Sequence, residues 1–205
     1  MRNPTAFVLA VCAAAGLASA SHNPDARRLR DAGDVLKSAA ARPVYGLQLS
    51  RAECIGIFPG VSDGAPQAGG DFGHGVVMCR RSDGTMGAPA FFMISGGIAG
   101  ATDKPRSDLV LLVMNADGVN RLRAGRVSLE GGPKNVPFQG WARADGSFQE
   151  VSLDGSVLEP DTPTTVTFYG SPVPAKDILQ DQALVAPKAA EPLVRLTTEL
   201  AKRTS

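Results

Sequence analysis

Three short segments commit this chain to a sheet of short strands. Gly69-Gly-Asp-Phe-Gly-His-Gly-Val-Val-Met-Cys-Arg80 is a glycine-rich approach to an apolar strand. Asp108-Leu-Val-Leu-Leu-Val-Met-Asn115 is an uninterrupted apolar run of strand length, and Val151-Ser-Leu-Asp-Gly-Ser-Val-Leu158 is a strand broken by an Asp-Gly turn. None of the three has the make-up of a catalytic centre. Fifteen prolines and 23 glycines imply many turns, so short strands should outnumber long helices.

Around these segments the elements read as follows. Pro24 to Ala41 is a helix, with Leu29, Ala32, Leu36 and Ala39 or Ala40 at helical spacing and Arg27, Arg28, Arg30 and Lys37 mostly off that stripe. Pro43 ends it, and Gly33 weakens it by about 1 kcal/mol relative to Ala. Strands are expected at Cys54 to Phe58, Gly75 to Arg80, Ala90 to Ser95 and Asp108 to Met114, with a hairpin turn at Asp83-Gly84. Ala116-Asp117-Gly118 opens a short helix that carries Val119 and Leu122 inward and Arg121 and Arg123 outward. Arg126 to Tyr169 reads as strand-rich, Ala183 to Ala190 as a mobile linker, and Glu191 to Arg203 as an amphipathic helix through Leu193, Leu196 and Leu200. The fold class is α+β, a single domain built on an antiparallel sheet that can curl into a barrel, with helices at both ends.

The N-terminus has the three parts of a secretory signal: Arg2, the apolar stretch Ala6 to Leu17, and the small residues Ala18-Ser19-Ala20. The expected division is residues 1–20 as signal, 21–182 as the domain, and 183–205 as linker and terminal helix. The apolar stretch is shorter than the roughly 20 residues a membrane span takes. The expected setting is therefore the periplasm or the exterior. A rival reading of Leu9-Ala10-Val11-Cys12 makes Cys12 an acylated lipoprotein N-terminus; against it, Val11 is large for such a site and few residues precede it.

Charge excludes one class of partner. The chain has 21 basic and 20 acidic side chains, and removal of residues 1–20 takes away Arg2 alone, leaving 20 of each. A balanced chain lacks the concentrated basic face that nonspecific nucleic-acid binding needs. Attraction to an anionic membrane would have to come from a local patch. In an exported chain Cys54 and Cys79, each beside an apolar run, are expected to form a disulfide; two buried thiols are the alternative.

Candidate chemistry is sparse. Gly60-Val-Ser-Asp-Gly64 matches the G-x-S-x-G pattern with Ser62 as nucleophile, but the pattern needs a strand, a sharp turn and a helix, and Ala65-Pro66-Gln67-Ala68-Gly69-Gly70 is a poor helix start. Its base would have to be His74, oriented by Asp63 or Asp71; His22 lies near the frayed end. The simpler reading makes Ser62 a turn residue, His74 an exposed turn residue and Gly69, Gly70, Gly73 and Gly75 aids to close strand approach. No His, Cys, Asp or Glu cluster has metal-ligand spacing, and no cofactor is expected.

Taken in order, the three segments resemble the SYLF domain, with family-like text also at Glu53-Cys-Ile-Gly-Ile-Phe-Pro59, at Ala88-Pro-Ala-Phe-Phe92 with Gly96-Gly97, and at Tyr169-Gly170. The resemblance runs from about Val35 to Leu179. It implies a non-catalytic module that binds phosphoinositides or other anionic lipids, in some members actin, through basic and amphipathic surface near the domain's N-terminus. Here Arg27, Arg28, Arg30 and Lys37 occupy that region, interleaved with Asp25, Asp31 and Asp34, so a plain solvated helix face is the alternative. Actin is not an expected partner of an exported protein. The other open function is a structural or protein-interaction module without lipid affinity. Two segments depart from the family: Gly100 to Arg106 lacks its Gly-Gln-rich text, and Trp141 to Val151 is short, as if a hairpin had been deleted.

Overall fold

The fold is that of a computed structural model, which describes residues 24–62, 73–96, 106–129, 137–143, 146–180 and 184–202. The signal and lipoprotein readings, Asp63, Asp71 and the Gly100 to Pro105 segment fall outside these residues. Eight strands form one sheet: β1 (Cys54–Val61), β2 (Gly73–Cys79), β3 (Ala90–Ser95), β4 (Ser107–Val113), β5 (Val127–Leu129), β6 (Phe138–Arg143), β7 (Phe148–Val151) and β8 (Ser156–Pro160). Their order is β5-β8-β3-β2-β1-β4-β6-β7, and every pairing is antiparallel. The expected α+β architecture is present.

The sheet is strongly curled, and chain length requires it. From Val151 at the end of β7 to Ser156 at the start of β8 is five residue steps, at most about 17 Å of extended chain. In the strand order β7 and β8 are six spacings apart, about 29 Å if the sheet were flat. A half-barrel is the shape that brings these strands within reach. The Val151-to-Leu158 segment makes the connection, and Leu153 is buried there with its side chain against Gly140, where an added Cβ would meet Leu153 Cδ2 at 2.7 Å.

Both faces of the central strands are covered, so apolar runs replace alternation. Ile55, Ile57, Val76, Met78, Val110 and Leu112 face one side, under α1 (Pro24–Ala40), α2 (Pro43–Arg51) and α6 (Glu191–Lys202). Phe58, Val77, Phe92, Leu109 and Leu111 face the other, with α3 (Ala116–Arg123) and α5 (Ala175–Gln180). α3 begins where Asn115 accepts a hydrogen bond from the Gly118 amide. Cys54 lies opposite Cys79 in the β1–β2 register and the two are bonded, across a sequence separation of 25. Closing a loop of that size contributes roughly 3 kcal/mol, so reduction should lower the urea midpoint accordingly. Thiol titration of the unfolded, unreduced protein should find neither cysteine free.

Several readings of the sequence need correction. Pro43 does not merely end α1; it is the first residue of a second helix, α2, where its fixed φ and missing N–H carry no penalty. Thr162 to Tyr169 is helical, not part of the strand-rich stretch. Asp161 caps this helix, α4 (Thr162–Tyr169), by accepting from the Thr164 amide at 3.1 Å, and that cap with an early proline overrides its β-branched residues. α5, Ala175–Gln180, is a further helix that the sequence reading does not contain. In the stretch read as a linker, Arg81 donates to the Leu184 carbonyl at 2.7 Å, Val185 is exposed and Ala190 is fully buried. The short segment before Val151 still makes a hairpin, with Arg143 opposite Phe148.

Gly33 supplies a direct stability test. It is buried in the middle of α1, and an added Cβ would meet Leu193 Cδ1 at 3.9 Å and Leu196 Cδ2 at 4.0 Å, ordinary contact distances. Gly33→Ala is therefore expected to stabilise the protein by about 1 kcal/mol, through helix propensity and added apolar contact. An unchanged or lower urea midpoint would contradict this.

Candidate binding surface

The site is built on α1, whose apolar stripe holds it to the sheet. Leu29, Ala32, Leu36 and Ala39 are buried, as the spacing predicted, and Val35 is buried with them. The four basic residues of the stripe's flanks are then divided between two places. Arg30 and Lys37 line a groove of about 670 Å³ between α1 and α6; Arg27 and Arg28 line a separate cleft of about 360 Å³ at the start of α1. They do not form one patch.

The α1–α6 groove has an apolar floor and a charged rim. Leu29, Gly33 and Leu193 are buried at its base and Leu196 is half-buried. Arg30, Lys37 and Arg195 stand exposed around it, with Asp34 and Glu199 as the acidic members. Arg195 carries no signal in the N-terminal sequence and becomes part of this rim only because α6 packs beside α1. Lys37 pairs with Asp34 at 3.2 Å, but both side chains are largely exposed, and such pairs contribute about 0–1 kcal/mol. Lys37 is thus not tied down against a competing anion.

The second cleft is built differently. Arg27 meets Asp31 at 3.8 Å, and Arg28 lies 3.6 Å from Asp25 and over the Phe91 ring. Asp25 is buried, which raises its pKa; Arg28 pulls it down and Asp161 pushes it up. His74, read from sequence as an exposed turn residue, is instead in β2, which begins at Gly73, and its Nδ1 lies 2.9 Å from Asp161 Oδ2. Burial acts to raise the Asp161 carboxyl, but hydrogen bonds from the Thr164 hydroxyl, His74 and the Thr164 amide outweigh it and hold its pKa below the usual carboxylate range. Ser62 and His74 line this same cleft, yet the acid that orients His74 is Asp161, the cap of α4. The His74–Asp161 pair joins β2 to α4. Among the described residues no group of His, Cys, Asp or Glu is placed to hold a metal ion, and no helix is long and apolar enough to cross a membrane.

Arg80, the last residue of the glycine-rich segment, holds the helical layer together. Its guanidinium donates to the Ser50 carbonyl at 2.8 Å, to Ala52 at 3.0 Å and to Ala201 at 3.4 Å, at the C-terminal ends of α2 and α6. A cation there suits the negative ends of both helices. Sequence reasoning missed this role because the acceptors are backbone groups far along the chain. On the other edge Tyr45 stacks on Trp141, with ring centroids 4.5 Å apart, and donates to the Phe148 carbonyl at 2.6 Å.

The helical layer on the half-barrel thus presents a groove with an apolar floor and a rim of three cations and two acids. A family model described as Ysc84, the Las17-binding protein actin regulator, matches residues 132–200. The SH3 domain-containing protein PJ696.02 of Schizosaccharomyces pombe is 27% identical over 149 residues, 62% of this chain and 34% of its own length. Protein YSC84 of Saccharomyces cerevisiae is 27% identical over 149 residues, 62% of this chain and 32% of its own. LAS seventeen-binding protein 3 of Saccharomyces cerevisiae matches to the same extent. These similarities support the resemblance to the SYLF family. The chain spans about a third of the length of these relatives.

Proposed function

We propose that this protein binds anionic phospholipid surfaces in the cell envelope, non-catalytically, through the layer formed by α1, α2 and α6. The observation that carries this reading is the α1–α6 groove, where buried leucines lie beneath Arg30, Lys37 and Arg195. An apolar floor under a rim in which three cations outnumber two acids suits a lipid, whose headgroup is charged and whose chains are not. The disulfide supports an exported setting, since such bonds persist in oxidising compartments. A second reading, binding of a protein partner on the same scaffold, draws on the family description, which names a Las17-binding actin regulator.

The arginines singled out from sequence are regrouped accordingly. Arg28 is half-buried against Asp25 and Phe91, so its loss would disturb packing as well as charge. The better variant is Arg30→Gln, Lys37→Gln, Arg195→Gln, all three exposed. With about 1 kcal/mol contributed by each cation near an anionic surface, it should bind anionic liposomes roughly two orders of magnitude more weakly than wild type. Co-sedimentation reads this directly. Undiminished binding by the triple variant would remove the groove from the account.

A further inference from the structure

We infer that α2 is the element that enters the membrane, with Val44 and Leu47 inserting among the acyl chains of an anionic bilayer and Arg42 and Arg51 holding its headgroups. This rests on the reading that the helical layer meets a membrane, and it fixes which part of that layer leads. Four large hydrophobic side chains are exposed among the described residues, and two of them, Val44 at 59% and Leu47 at 47%, sit on this one helix. Three residues apart, they are neighbours on its outer face.

The inner face of α2 is fully occupied. Leu49 is buried, Tyr45 is held by Trp141 and Phe148, and Arg80 fixes the C-terminal end. The helix therefore cannot rotate to bury Val44 and Leu47, which remain in water unless something covers them. Charge indicates what that is. Between Asp34 and Glu53 the chain has Lys37, Arg42 and Arg51 and no acid, whereas earlier in α1 Arg27, Arg28 and Arg30 are matched by Asp25, Asp31 and Asp34. A helix with exposed Val44 and Leu47 at its centre and exposed Arg42 and Arg51 at its two ends complements an anionic bilayer. It fits a protein partner less well: a stable protein interface buries about 1,200 Å² or more, and two side chains on a nine-residue helix are far short of that. Interfacial helices bind lipid with this kind of limited insertion plus basic residues.

The test is Leu47→Trp, read by fluorescence with vesicles of phosphatidylglycerol and phosphatidylcholine. The native Trp141 is 2% exposed and supplies a constant background. The new tryptophan should shift to shorter wavelength on vesicle addition and be quenched by brominated acyl chains, while Val185→Trp, at an exposed position outside α2, should do neither. Val44→Ser with Leu47→Ser should bind these vesicles about tenfold more weakly, and Arg42→Gln with Arg51→Gln about thirtyfold more weakly. If wild type binds but Leu47→Trp stays unshifted and the serine variant binds normally, α2 is not the inserting element, and membrane binding through another surface still stands. If wild type binds no anionic vesicle, the membrane reading itself fails and this one with it. A shift that appears with rising protein concentration and no lipid would show a second copy covering α2, and would also overturn the proposal.

Discussion

Gly75→Ala is expected to destabilise the protein by about 3 kcal/mol, the upper end of what overpacking costs, at the centre of the sheet. An added Cβ at Gly75 would lie 2.3 Å from the Ile57 carbonyl oxygen and 2.4 Å from Phe58 Cδ1. The first of these is backbone, in the strand paired to β2, so no rotamer change relieves it. The second is a fully buried ring that fills the space the missing side chain leaves. β1 lies between β2 and β4, so moving it disturbs both ladders. Urea denaturation should show a large drop in midpoint at constant slope. A variant as stable as wild type would mean that the two strands do not meet in this register. The contrast with Gly33→Ala is the control: the same substitution, opposite in sign, because only one site has room.

Trp141→Ala should cost about 3–5 kcal/mol, the usual range for removing a buried large aromatic. For a chain of this length that corresponds to a fall in Tm of roughly 10 °C. Trp141 is the platform on which Tyr45 rests, so its truncation also frees the edge of α2 from the β6–β7 hairpin. Two readouts should therefore separate: a lower midpoint overall, and faster amide exchange in α2 than in α6 under native conditions. Uniform exchange across both helices would contradict the idea that Tyr45 and Trp141 anchor α2 specifically.

How much of this was legible in the sequence depended on whether the determining contacts were local. The apolar run at Asp108 to Asn115 and the stripe on α1 announced β4 and α1 because strand length and helical spacing are written in consecutive residues. α2 was hidden by Pro43, which stops a helix or starts one with equal ease, and the choice is made by Leu49 docking on the core. α4 was hidden by threonine and valine, whose local preference for strands yields to the Asp161 cap. The site was half readable. Arg30 and Lys37 could be named from α1, whereas Arg195 joins them across more than 150 residues of chain, and only the packing of α6 on α1 brings it there. His74 was misplaced for the same reason: its partner Asp161 is 87 residues away.

The central claim, that the helical layer docks on anionic lipid, is tested most directly by flotation of the wild-type protein with vesicles of graded phosphatidylglycerol content. The account predicts that the protein floats with anionic vesicles and only weakly with pure phosphatidylcholine. It also predicts that binding falls as salt is raised, since exposed charges are screened within about 8 Å at physiological ionic strength. Equal binding to neutral and anionic vesicles, or no flotation with anionic vesicles at low salt, would contradict it.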